Sequence, residues 1–349
     1  MLPASTQDFT VVIPLFNREA LVVETLESVL QQSLPAAEVI VVDDGSTDGS
    51  RDAVARFGDR VTLISNGKRG VQAARNAGIA LARTSWIALC DSDDLWEPTW
   101  LDQVARLRSA EQEVDFVFGN FRHLRDDGLG KTTKFDDAPP GYWSRARRRE
   151  RAEGWVFDTC IAGETFIWHP IFPSATAFSK RLVDRAGAFD VSLAGKRNED
   201  GEFTIRLLYE ARAAAIPQPL VSIRKHGESV SSDQLKLLVD EIWMLDFVKR
   251  NHPAARPYHE IIDREIVKRT ISGANLAFVA QDHELTRKLI KSVGWRQRPM
   301  RLHLKNLVAA LPGPIATPAN DLLQRIVEHR SAPSPRNHSG SFANRDAPG

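Results

Sequence analysis

Residues 9–48 read FTVVIPLFNREALVVETLESVLQQSLPAAEVIVVDDGSTD, and the order of patterns inside them decides the fold. FTVVIPL and AEVIVVD are short apolar, β-branched runs, the mark of strands buried on both faces. Between them Val22, Leu26, Val29 and Leu30 recur at helical spacing, so residues 18–32 are expected to pack one apolar stripe on a sheet. Strand, helix and strand in this order make a βαβ unit. The alternation continues outward: RVTLIS, SWIALC and VDFVFG supply further strands, and Asp48 is placed to cap the next helix. GVQAARNAGIALAR has small residues where a helix must approach the sheet closely. The expected fold class is α/β, a mostly parallel sheet flanked by helices, followed by a helical C-terminal extension.

In an open parallel sheet the ligand crevice lies beyond the carboxyl ends of the strands. Phe16 and Asn17 follow the first strand, Asp43, Asp44 and Gly45 the second, residues 66–70 the third, and Asp91, Asp93 and Asp94 the fourth. Each cluster alone has a competing explanation, because Asp, Asn and Gly are common in turns and N-caps. Four in succession point to one functional rim. Carboxylate oxygens are the ligands that hard divalent cations prefer, and a cation there would neutralise a diphosphate. Without one the three acids would repel one another and raise at least one pKa. In an extended segment Asp91 and Asp93 share a face while Ser92 points away, which makes Asp93 the first-choice metal ligand.

Residues 122–163 lose periodicity and contain APPG and the basic run RARRRERAE. An irregular insertion of that length suits a lid or acceptor loop, or else a mobile surface loop; the arginines are expected to be solvated rather than to clamp a phosphate. FPSATAFSKRLVDRAGAFD reads as strand, helix and turn, and NEDGEFTIRLLYEA as a helix opened by acids, where capping is the competing role of Glu199 and Asp200. After Asp233 the chain is helical, with Leu235, Leu238, Val239, Ile242 and Leu245 on one face. The expected organisation is a domain over 1–232, a helical region over 233–330 and a disordered tail over 331–349.

Lys+Arg 46 against Asp+Glu 45 leaves a net charge of +1 in 349 residues, so no global field favours nucleic acid. No apolar run approaches the ~18 residues of a membrane span. The opening MLPASTQDFT lacks the features of a secretory signal, and Cys90 and Cys160 are expected to be buried thiols in a reducing, cytoplasmic setting. RPMRLHLKNLVAALPGPI mixes basic and apolar residues; a helix packed on the protein and stopped by Pro312 is the first reading, a helix lying on the inner membrane face the second. P-loop, dinucleotide, Gly-x-Ser-x-Gly and His-Glu-x-x-His patterns are absent, and two cysteines make no zinc framework.

VVIPLFNRE, VIVVDDGSTDGS, NGKRGVQAARNAGI, the Asp-x-Asp of CDSDDLW and then NEDGEF, in that order, resemble glycosyltransferase family 2 with its GT-A fold, over about residues 9–232. The resemblance implies an inverting transferase that takes a sugar from UDP or another nucleoside diphosphate, with Mg2+ or Mn2+, in polysaccharide, lipopolysaccharide or other glycan biosynthesis. The acceptor it implies is a glycan or a lipid-linked one. Phe16 stands where the family often has an aromatic ring against the base and lacks the hydroxyl of the commoner Tyr. Asn17, Glu19, Asp43 and Asp44 match positions lining base and ribose; Gly70, Arg75 and Asn76 match the segment bordering the donor. Asp91 and Asp93 resemble the metal and ribose pair, Asp200 the catalytic base, and His226 a histidine that approaches the metal, although a lone histidine after a strand has a structural reading too. Inversion needs a carboxylate to take the acceptor's proton, and neighbours on a helix point about 100° apart, so of Glu199 and Asp200 one is the base and the other supports it. The alternatives are a non-catalytic GT-A-like protein that holds a nucleotide sugar or glycan, and a sugar nucleotidyltransferase, which would open with a glycine-rich loop that PLFNRE is not.

Overall fold

The computed structural model describes residues 8–195, 198–225, 230–311, 315 and 317–319. The chain opens with β1 (Phe9–Leu15), α1 (Leu21–Leu30), β2 (Glu38–Asp43), α2 (Ser50–Ala55), β3 (Thr62–Ser65), α3 (Val71–Leu81) and β4 (Trp86–Leu89). These four strands lie side by side in the order β3-β2-β1-β4, every pair parallel. All seven residues of β1 are buried because both of its faces are covered. Phe9, Val11, Ile13 and Leu15 join Val22, Leu26 and Val29 of α1 in one core, while Val12 faces Ile79 on the opposite side.

The small residues of α3 have the purpose their spacing suggested. A Cβ on Gly78 would stand 2.3 Å from Val12 Cγ1, so helix and strand touch where a side chain is missing. α1 begins later than residue 18: the Arg18 N–H donates to Ser50 Oγ (2.8 Å) and the Glu19 N–H to Asp48 (3.2 Å), tying this turn to the neighbouring loop. Asp48 does not occupy the N-cap of α2, which is Gly49; from one residue earlier it accepts the Ser50 N–H (3.0 Å).

Next come β5 (Leu95–Trp96), α4 (Trp100–Ala110), β6 (Phe116–Arg125), β7 (Gly128–Thr133), α5 (Tyr142–Arg145), β8 (Arg148–Arg151), β9 (Gly154–Phe157), α6 (Ala162–Ile167), β10 (Thr176–Ser179), α7 (Lys180–Ala186), α8 (Glu199–Glu210) and β11 (Ala213–Arg224). Beyond β4 the sheet is mixed: β10 runs antiparallel between β4 and β6, and β11 lies parallel to β6 but antiparallel to β5 and β9. Pro217 and Pro219 interrupt β11 where its register against β6 shifts, and such prolines hide a strand in the sequence.

The expectation of an irregular middle is corrected. β6 with β7, and β8 with β9, form antiparallel pairs inside residues 122–163. β7 and β8 are largely exposed, so no apolar period marks them. Four arginines of the run are paired: Arg145 with Glu164 (3.0 Å), Arg148 with Glu150 (3.4 Å), Arg149 with Glu113 (3.0 Å) and Asp158 (2.9 Å), and Arg151 with Glu111 (2.6 Å). Cys160 is exposed rather than buried; Cys90 is buried, and both are free thiols.

The chain ends its described part with α9 (Val230–Asn251), α10 (His259–Val279), α11 (His283–Ser292) and α12 (Met300–Val308). Of the expected face on α9, Leu245 is buried with Met244 and Val248, and the residues before it are half-buried. Contacts divide the molecule into two compact units, the first ending at Arg269. In the second, Ala274, Ile290 and Leu302 form a small core. The expected tail, 331–349, lies outside the described residues.

Gly78→Val should lower stability by about 1–3 kcal/mol through overpacking against Val12, read as a drop in the thermal or urea midpoint. An unchanged midpoint would show that the α3–β1 contact yields freely.

Candidate active site

The carboxyl ends of β1 to β4 open on a cleft of about 280 Å3. Phe16, 44% exposed, stands at its edge just after β1. Asp44, Arg75, Asp91 and Asp93 form its polar wall together with Arg18. Residues 91–94 form a turn, with the Asp94 N–H bonded to the Asp91 carbonyl (3.1 Å), and not an extended segment. Ser92 therefore lines the cleft beside Asp91 and Asp93 instead of pointing away.

Each acid in this turn meets a different environment. Asp93 Oδ2 accepts from Arg18 Nε (3.1 Å). Asp91 Oδ1 accepts from Arg75 Nη2 (2.7 Å), and its own N–H donates to Ser174 Oγ (2.9 Å). Asp94 is 2% exposed and takes the Ser174 hydroxyl and the Arg224 N–H (2.8 Å). Burial, reinforced by the charges of Asp91 and Asp93, pushes the Asp94 carboxyl well above its usual range, so this acid is a structural clip between β4 and β11.

Asn17, Glu19, Asp43 and Asn76, also expected at the rim, lie outside the cleft wall, and Asp44 on the wall fixes the loop beside it. Asn17, at φ 50°, accepts the Thr47 N–H on Oδ1 (2.8 Å) and donates its own N–H to Ser46 Oγ (3.0 Å). Glu19 accepts the Gly49 N–H (3.2 Å). Buried Asp43 binds Ser46 N–H (3.0 Å) and Arg51 (2.9 Å). Asp44 gathers Asn66 Nδ2 (2.6 Å) and the N–H groups of Arg69 (2.8 Å) and Gly70 (2.9 Å), which fixes the loop at the start of α3. Gly70 has φ 94°, a conformation that favours glycine. Asn76 is turned away from the cleft and exchanges two hydrogen bonds with the Phe189 backbone, each 2.9 Å.

Arg75 carries the site across to α8. Only 4% exposed, it bonds Asp91, lies 3.7 Å from Glu199 Oε1 and stacks over Phe189 at 5.3 Å. Burial opposes its charge, but Asp91 and then Asp200 and Glu199 hold it protonated. Glu199 opens α8 after Asn198, whose φ of 65° turns the chain into the helix. Burial, then the neighbouring Asp200 charge, raises the Glu199 carboxyl to about 7 although Arg75 pulls the other way. Burial likewise raises Asp91.

Asp200 faces a second cavity of about 440 Å3, walled by Phe121, Trp168, His169 and Gly201. Thus Arg75 lines the first cleft and touches the acid pair whose second member lines the other. The donor set suits a cation in one way: Asp91 and Asp93 offer two carboxylates, as Mg2+ takes when phosphates and water complete its shell. Among the described residues no cluster of three acid, His or Cys side chains could hold an ion alone. His226 lies outside the described residues. Arg18, Ser174, Asn198, Trp168 and His169 were not anticipated. Arg18 sits inside the NRE segment, and its charge facing four strand ends rich in acids was the available signal.

The family model described as Glycosyl transferase family 2 matches residues 10–168. The chain is 29% identical over 245 residues to the putative glycosyltransferase EpsH of Bacillus subtilis (strain 168), the alignment covering 67% of this chain and 66% of EpsH, just under two thirds of that relative. Crystalline S. aureus TarS 1-349 in complex with UDP-GlcNAc superposes with a TM-score of 0.55 at 18% identity, covering 92% of this chain and 90% of that one. The mannosyltransferase PcManGT from Pyrobaculum calidifontis, solved with GDP-Man and Mn2+, gives 0.55 at 19%, covering 92% and 86%. At these identities the two structures establish a shared fold.

Glu199 binds its proton more tightly in the fold, about 7 against the usual 4.5, so stability is lost as pH rises from about 4.5 through about 7. In metal-free buffer Glu199→Gln, which cannot ionise, should melt close to the parent chain near pH 4 and above it near pH 8. Equal midpoints at both pH values would show that Glu199 ionises at no cost to the fold.

Proposed function

We propose that this chain, whose residues 10–168 match the model of Glycosyl transferase family 2, is an inverting, divalent-metal-assisted glycosyltransferase. It moves a sugar from a nucleoside diphosphate to a hydroxyl of a glycan or lipid-linked acceptor in polysaccharide or related glycan biosynthesis. The observation that carries this reading is Arg75, which joins the carboxylates of the first cleft to the acids of α8 at the second cavity.

The donor lies in the first cleft, with its base against Phe16. Asp93 and Asp91 would hold the cation, which would supply positive charge to neutralise the departing diphosphate. Asp200, on the wall of the second cavity, takes the proton from the acceptor hydroxyl as it attacks the anomeric carbon, and Glu199, held beside Arg75, fixes the start of α8. A single displacement from the face opposite the leaving group inverts the centre. A protein that only held a nucleotide sugar would have no use for an acid on a second cavity. No described helix is long and apolar enough to cross a membrane. Peripheral contact belongs to the reading because Leu302 of α12 packs inward while Met300, Leu304 and Leu307 stay exposed beside Arg301.

Thermal-shift titration should find one class of nucleoside diphosphate that stabilises the protein only with Mn2+ or Mg2+, an effect lost in Asp93→Ala. Metal-independent stabilisation would remove the cation from the scheme. Asp200→Asn should keep donor binding yet lower transfer by about 10²–10⁴-fold; undiminished transfer would take Asp200 out of the base role. At low salt the protein should sediment with vesicles containing anionic lipid and be released by high salt; failure to sediment would exclude the α12 surface from membrane contact.

A further inference from the structure

The second cavity carries a charge that the transfer chemistry described above does not use. Lys134 projects into it with Nζ 4.5 Å from the centre of the Trp168 ring, and Lys225 stands with Nζ 5.8 Å from that of Phe172. Among the described residues neither ammonium has a carboxylate within 4 Å. Arg269 pairs with Glu241 and with Glu265, both at 2.8 Å, and Lys268 with Glu265 at 3.6 Å, so these four charges balance and Asp200 is the acid that remains on the wall. Two lysines on aromatic faces, Lys134 half-buried and Lys225 exposed at the rim, therefore outnumber Asp200 by one positive charge in this pocket.

The imidazoles nearby register the same field. Burial, then the charges of Lys225 and Lys134, depresses His123 to about 4, and burial with Lys134 does the same to His169. Both rings are neutral at pH 7. Burial also lowers Lys134 from its usual value, and only the more distant Asp137 and Glu241 oppose this. Desolvating a cation is costly unless an anion arrives to pair with it, which is the condition of a binding site waiting for a charged ligand.

We propose that this cavity is an acceptor subsite for an anionic group: Lys134 and Lys225 hold a phosphate, diphosphate or carboxylate of the acceptor while Phe121, Trp168 and Phe172 cover its apolar surface. The proposal rests on the transferase reading and specifies its acceptor as negatively charged close to the reacting hydroxyl. The charge has two chemical sources, a lipid diphosphate or an acidic sugar, and both meet the same two ammonium groups. Lys134 and Lys225 are positioning residues that set which hydroxyl reaches Asp200.

The test measures tryptophan fluorescence in metal-free buffer against farnesyl diphosphate and, separately, glucuronic acid. At least one probe should bind the parent chain saturably, the one that binds identifying the source of the charge. Affinity should fall about tenfold or more in Lys134→Met and in Lys225→Met, persist in Lys134→Arg, and be unaffected in Lys131→Met on the exposed strand β7. Binding of neither probe, or equal binding by the parent and both methionine variants, would overturn the subsite. Metal-dependent nucleoside diphosphate binding, followed in the same proteins, separates the two readings. If it is intact while the anion response is absent, the subsite fails and the transferase stands; if it is absent from the parent chain, the transferase reading itself fails.

Discussion

Arg75 holds together parts of the chain that are far apart in sequence. A guanidinium taken out of water costs several kcal/mol unless opposite charge and hydrogen bonds replace the solvent; here Asp91 beyond β4 accepts a hydrogen bond from Nη2 and Glu199 at the start of α8 supplies opposite charge at 3.7 Å, while Nε and Nη1 have no hydrogen-bond partner. The pairing draws α3, the fourth strand end and α8 to one point. Phe189 closes it from the side, stacked on Phe203 with ring centres 3.8 Å apart and beneath the guanidinium, while Asn76 pins the Phe189 backbone. One buried cation thus sets the distance between a cleft of carboxylates and a cavity with an acid on its wall.

The acids around that cation show how environment sorts identical side chains into different roles. Asp94, buried against Ser174 and Arg224, is held toward its neutral form and fastens β4 to β11. Asp93, one residue away, opens on the cleft and meets Arg18. Asp91 and Glu199 share Arg75 and both bind protons more tightly than usual because burial outweighs the nearby positive charge. Negative charge is therefore concentrated where a cation would relieve it, and clipped away where it would only repel.

The βαβ succession could be read from the letters because burial on both faces leaves a local record. β1, β2 and β4 are unbroken apolar runs, and α3 carries glycine and alanine where Gly78 meets Val12. The second half kept no such record. β7 and β8 are exposed and polar, and β11 passes through two prolines, so hairpins looked like an irregular loop and the strand before His226 had no bounds in the sequence. The rim was likewise visible as polar letters at four strand ends. Which of them face the cleft was not: Asp43, Asn76 and Glu19 resemble Asp44, Arg75 and Asp93 in kind, and only their partners separate wall from support.

What the amino-acid order determined by itself was the parallel βαβ half, the edge where chemistry gathers and the acid pair that opens α8, because each depends on residues within a few positions of one another. Tertiary structure alone decided that Asp94 is a clip, that Arg18 faces Asp93, that the basic run 145–151 is matched by acids, and that Lys134 and Lys225 meet in one pocket. Those outcomes rest on contacts between residues tens of positions apart. Their energies depend on distance and on how much water is excluded, and neither quantity is encoded in spacing along the chain.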